Sequence, residues 1–124
     1  MNKEYFLMKL KNEQLFLGDF ANKEDVKSEF AVKDDSLNNA FILLAWYGHG
    51  DYDGSAFVLF EKGGQLYEVN GGHCSCNGLE DQWDPEETSA EALMHRINEG
   101  HLGSNSYYSE NTFGDRLLNI LAGM

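Results

Sequence analysis

The side chains best equipped for chemistry in this chain fall in one stretch, NGGHCSCNGLEDQWD, at residues 70–84. His73, Cys74 and Cys76 place one imidazole and two thiols within four residues, the ligand types that zinc takes in tetrahedral sites. His49, His95 or His101 could supply a fourth ligand. Structural zinc sites, however, combine two ligand pairs, commonly spaced by two to four residues, whereas here one cysteine pair stands alone, parted only by Ser75. A cysteine nucleophile is a second possibility, because a neighbouring base or cation lowers a thiol pKa and creates the reactive thiolate. His73 is such a neighbour, yet no group that would orient it can be identified. The expectation is a metal-free, non-catalytic turn in which Cys74 and Cys76 act as small apolar side chains. A small metal- or thiol-dependent enzyme built on the same residues is the alternative.

Other patterns are weaker. Asp51 and Asp53, in HGDYDG, form a carboxylate pair, but the loop lacks the regularly placed oxygens of a calcium loop and reads as a solvated turn. Eight glycines lie between Gly48 and Gly78, at the ends of apolar runs, and match neither G-x-G-x-x-G after a strand nor G-x-x-x-x-G-K-[ST]. No nucleotide or other cofactor is expected.

Charge is more informative. The formal charge is −12, with seven basic and eleven acidic residues in 1–62 against two and ten in 63–124. Direct binding to nucleic acid is disfavoured, since affinity for phosphates comes from Lys and Arg. A protein or ribonucleoprotein partner with a basic surface is expected instead. The residues singled out to meet it are Glu80, Asp81, Trp83, Asp84, Glu86 and Glu87, which combine carboxylates with an aromatic anchor. The competing readings are that the charge maintains solubility, that Trp83 belongs to the core, and that the carboxylates favour a helix N-terminus.

Those residues need elements to hold them. FILLAWY reads as a buried strand, SAFVLFEK as a second and QLYEV as a third, with GHGDYDG and the two-residue Gly63-Gly64 turn as connections. Phe57, Leu59 and Glu61 alternate against Val58 and Phe60, and Leu66 and Val69 flank Tyr67 and Glu68, so at least one of these strands must be covered on both faces. NKEDVKSEFAV carries an N-cap candidate, early acidic residues, and Val26 and Phe30 four apart, which predicts a short helix ended by DDSLNN. In DPEETSAEALMHRINEG, Pro85 near the start, a Thr88–Glu91 capping box and a Leu93, Met94, Ile97 stripe predict a helix stopped by Gly100. Phe113, Leu117, Ile120 and Leu121 mark a closing helix. Tyr5–Leu10 and Leu15–Phe20 suit a hairpin, with a helix over residues 3–16 as the alternative.

The architecture expected is α+β: an antiparallel meander of about three to five strands packed with two or three helices, in a single domain spanning 1–124. The 42% hydrophobic content, with eight Phe, six Tyr and two Trp, is that of a folding chain. Phe41 to Tyr47 is far short of the roughly 18 apolar residues of a membrane span. The charged N-terminus lacks a signal peptide's apolar stretch, and the cysteines make a poor disulfide framework, so a cytoplasmic location is expected.

One stretch also resembles something known. Residues 54 to 93, with GSAF, YEVN, HCSC and GLEDQW in that order, are similar to a module of small phage and prophage proteins for which no activity is established. The resemblance covers roughly a third of the chain and implies a bacterial host cell and a role against host machinery. Taken with the charge, it leads to an acidic inhibitor of a host defence or nucleic-acid-processing complex, in the manner of CRISPR-inhibiting proteins. A phage assembly subunit is a further alternative.

Overall fold

The computed structural model describes residues 14–18, 20–49, 53–74, 78–99, 102, 104–105, 110–111 and 113–122. They form an α+β fold with a five-stranded, mostly antiparallel open sheet and three helices. Two compact units are distinguishable, one comprising Gln14–Glu87 and the other containing the described residues from Thr88 onward.

In the first unit, strand β1 (Leu15–Gly18) leads to helix α1 (Lys23–Phe30) and then to β2 (Phe41–His49), β3 (Asp53–Lys62) and β4 (Gln65–Cys74). The strand order is β1-β2-β3-β4-β5, where β5 (Glu86–Thr88) reaches the unit boundary. β2, β3 and β4 are the antiparallel meander that the three apolar runs predict. β1 instead pairs parallel with β2, Leu15 opposite Leu44 and Gly18 opposite Tyr47, so β1, α1 and β2 form a crossover. Of the expected N-terminal hairpin, Tyr5–Leu10 lies outside the described residues. Leu15 and Phe16, placed in a helix by the alternative reading, are in strand.

α1 forms as its sequence requires. Asn22 caps it by accepting from the Asp25 N–H at 2.9 Å, and Asp25 accepts from the Ala21 N–H at 2.8 Å. It ends at Ala31, in the left-handed region at φ 52°, with the Val32 N–H donating to the Lys27 carbonyl at 2.9 Å. Val26 and Phe30, one turn apart, are buried with Phe20, Leu37 and Leu79 against Ile42, Ala45 and Tyr47 of β2, Ala56, Val58 and Phe60 of β3, and Val69 of β4.

Strict alternation would put Ile42 and Ala45 on opposite faces. A register shift between Ile42 and Leu44 reverses the alternation, so that Ile42, Ala45 and Tyr47 all join the core cluster. Leu44, Phe57 and Leu59, which do not belong to that cluster, are buried as well, so β3 is a strand covered on both faces, as expected of at least one of the meander strands. Gly63 and Gly64 make the β3–β4 turn at φ 63° and 87°, which a two-residue hairpin loop of this type needs. Its geometry is reinforced by the Glu61 carboxylate, which accepts from the Gly64 N–H at 2.7 Å.

In the second unit, helix α2 (Ala90–Asn98) buries Leu93 with Met94 and Ile97 half-buried, and helix α3 (Gly114–Ala122) buries Leu117 and Leu121. A two-stranded ribbon of β6 (Ser104–Asn105) and β7 (Glu110–Asn111) lies between them in sequence. The expected cap of α2 is displaced by one residue: Ser89 accepts from the Ala92 N–H at 3.1 Å, while Thr88 ends β5. Thr and Ser both cap well, and strand pairing claims the threonine, whose β-branched side chain suits a strand. α2 closes at Glu99, whose N–H donates to the His95 carbonyl at 3.0 Å, and Gly100 lies outside the described residues.

Candidate functional site

The strands of the meander run further than their apolar cores. β4 continues through Asn-Gly-Gly-His-Cys, so His73 pairs with Gly54 and Cys74 with Asp53 in the antiparallel register. The start of the His-Cys-Ser-Cys sequence is thus strand rather than turn. The side chains of His73 and Cys74, and all of 75–77, lie outside the described residues, as do 50–52 and the Asp53 side chain. The metal, thiol and carboxylate-pair readings fall on those positions. Among the described residues no three of His, Cys, Asp and Glu gather as a metal-binding group.

The chain from Gly78 onward folds back beside β4. Leu79 is fully buried in the core. The Gln82 N–H closes a turn on the Leu79 carbonyl at 3.1 Å, with Asp81 at φ 67°, a conformation that Asp tolerates better than most residues. The Gln82 side chain then acts as a substitute strand neighbour for β4. Its Oε1 accepts from the Gly72 N–H at 2.7 Å and its Nε2 donates to the Gly72 carbonyl at 2.6 Å. The same Nε2 donates to the Gly78 carbonyl at 2.7 Å, so one amide ties together the chain on either side of 75–77.

Trp83 is half-buried and committed to packing. Its indole stacks on Phe60, with centroids 5.8 Å apart and planes 12° apart, and meets Phe30 edge-on at 5.2 Å. The indole N–H donates to the Ser36 hydroxyl oxygen at 2.6 Å, and that hydroxyl donates to Asp34 Oδ1 at 2.5 Å. Asp34 Oδ1 also accepts from the Ser36 N–H at 3.0 Å. The Ser36 hydroxyl and then its N–H hold the Asp34 carboxyl below the ordinary carboxylate value, since both bonds favour the ionised form.

Of the six residues chosen from sequence, the five carboxylates of Glu80, Asp81, Asp84, Glu86 and Glu87 are exposed. They do not share one element. Glu80 and Asp81 sit in the turn after Leu79, Asp84 follows Trp83, and Glu86 and Glu87 lie on β5. The expectation that Glu86 and Glu87 sit at a helix start is corrected, because α2 begins at Ala90 and these residues are paired as an edge strand.

Sequence reasoning missed a groove beside this segment. Phe30, Ala31, Val32 and Trp83 line it together with Lys33, Asp34 and Asp81, enclosing about 300 Å³. The pairing of 30–34 with 81–83 comes from the end of α1 meeting the chain after β4, across some fifty residues of sequence, and leaves no local pattern. Among the described residues no helix is long and apolar enough to cross a membrane. Comparison with known proteins finds no family model that matches the chain, no match among curated proteins and none among solved structures.

Proposed function

We propose that this protein works by binding, presenting the acidic segment from Glu80 to Glu87 to a basic surface on another protein or ribonucleoprotein complex. The observation that supports it is the exposure of five carboxylates within eight residues, on a segment fastened to the core by Leu79 and Trp83. Anchoring of that kind reduces the ordering needed on association, while complementary charge steers the encounter and selects the partner. The resemblance of residues 54–93 to a phage module supports the finer reading of an inhibitor of a host defence or nucleic-acid-processing complex, acting in the bacterial cytoplasm. Trp83 serves this reading chiefly as the support of the segment.

The test is capture of the partner from a bacterial lysate by the unmodified chain and by a chain carrying Asp84→Lys, Glu86→Lys and Glu87→Lys. The triple variant should remain folded by circular dichroism, because exposed charges contribute little to stability. It should lose the partner, and added salt should weaken the unmodified complex, given a screening length of about 8 Å near physiological ionic strength. A folded triple variant with unchanged affinity and salt dependence refutes the reading.

A further inference from the structure

We propose that the groove between the end of α1 and Trp83 is a receptor for a single arginine side chain of a partner protein. The proposal rests on the reading that the partner is basic, and it assigns one contact of that partner to one place. The floor and walls are apolar, from Phe30, Ala31, Val32 and Trp83, and the charged groups are Asp34, Asp81 and Lys33. A volume of about 300 Å³ is at the lower end of ligand pockets, which suits one long side chain better than a whole small-molecule ligand.

Among the lining groups two carboxylates face one ammonium, a second ammonium, that of Lys62, acts on Asp34 from beside it, and both carboxylates have hydrogen-bonding capacity to spare. Asp34 engages Ser36 through Oδ1 alone, and neither its Oδ2 nor the Asp81 carboxylate bonds to another described residue. The bonds from Ser36 keep Asp34 ionised and fix its orientation. An arginine suits these features better than a lysine. Its aliphatic stem covers apolar surface, its planar head stacks on an indole, and its fork of N–H donors serves two carboxylates at once. Lys33 in the lining and Lys62 beside Asp34 oppose any cation in the groove and set a limit on its affinity. Ala31 and Asp81, two of its lining residues, lie in the left-handed region at φ 52° and 67°.

The probe is N-acetyl-arginine amide, titrated into the whole chain and followed by amide and indole NMR signals, with N-acetyl-lysine amide and the neutral isostere N-acetyl-citrulline amide in parallel. The arginine compound should shift Trp83 Nε1–H and the Ala31, Val32, Asp34 and Asp81 amides saturably, the lysine compound several-fold more weakly, and the citrulline compound not at all. Asp81→Asn keeps a residue that accepts the left-handed backbone, and should weaken binding by about 1.4- to five-fold, the range of one exposed charge pair. Lys33→Ala should strengthen it. Equal shifts with citrulline, or no movement of the groove signals with arginine, overturn the proposal.

A peptide of alternating Arg and Gly separates this from the broader reading. Salt-sensitive peptide binding that leaves the groove signals unmoved refutes the groove and leaves the acidic segment standing. Saturable arginine binding in the groove, with partner capture unaffected by the lysine triple variant, supports the groove and refutes the segment.

Discussion

Replacing Gln82 tests how the strip between β4 and the acidic segment is held. Gln82→Ala removes three hydrogen bonds, of 2.7, 2.6 and 2.7 Å. Each is worth about 0.5–1.5 kcal/mol net. Gly72 is exposed, so water can replace two of them and their contribution lies at the low end, whereas the bond to Gly78 is in a half-buried setting. The expected loss is about 1.5–2.5 kcal/mol. Gln82→Glu keeps an acceptor for the Gly72 N–H but turns a carboxylate oxygen toward the Gly72 and Gly78 carbonyls, and at neutral pH it should be the more damaging change. That environment disfavours the ionised form and raises the introduced group's folded-state pKa. The folded state then binds more protons than the unfolded one, so the stability of this variant relative to the parent rises as pH falls through that raised value. Urea unfolding at pH 7 and 5, read by tryptophan fluorescence, reports on the correct unit because Trp46 and Trp83 both lie within Gln14–Glu87. Amide exchange at Gly72 should accelerate in Gln82→Ala, which removes the acceptor of its N–H. A Gln82→Ala chain within about 0.5 kcal/mol of the parent, with Gly72 exchange unchanged, would refute the clamp.

Valine at Gly63 or Gly64 should destabilise by about 1 kcal/mol or more, measured by urea unfolding, because both positions have positive φ; an unchanged midpoint in the double variant would contradict the turn. Gly71→Ala sets a methyl 3.0 Å from side-chain carbons of Leu79 and Phe30, and overpacking of this kind should cost about 1–3 kcal/mol by the same assay. Leu79→Ala, at a fully buried position, should cost about 2–5 kcal/mol. Ser36→Ala removes the hydroxyl that holds the Asp34 carboxyl below its ordinary value, so an NMR pH titration should show Asp34 titrating higher. In the parent, the small contribution of Asp34 is present above the ordinary carboxylate range and lost as pH falls through its depressed value.

How far the sequence could be read depended on whether a feature was local. The meander was legible because FILLAWY, SAFVLFEK and QLYEV are separated by glycines, and α1 because Asn22 precedes Val26 and Phe30 at helical spacing. The parallel pairing of β1 was not, since a four-residue run such as Leu15–Gly18 carries no signal of its neighbour's direction. At 84–89 the carboxylates, Thr88 and Ser89 suited a helix start equally well, and pairing of Glu86–Thr88 as an edge strand decided the matter. The exposure of Glu80, Asp81, Asp84, Glu86 and Glu87 was legible from their chemistry. The Gln82 clamp spans ten residues and the Trp83–Ser36 bond forty-seven, and such side-chain contacts exist only once the chain has closed on itself.

The lengths of the strands have a consequence for how a partner can approach. The interior strands β2, β3 and β4 span nine or ten residues, whereas the two edges of the sheet are β1, of four residues, and β5, of three. A short edge exposes few unpaired backbone groups, and the two glutamates on β5 repel the same edge of a second copy. Docking by extension of the sheet along β1 or β5 themselves therefore gains little. Among the described residues, the outermost strands therefore offer another molecule their side chains more than their backbone.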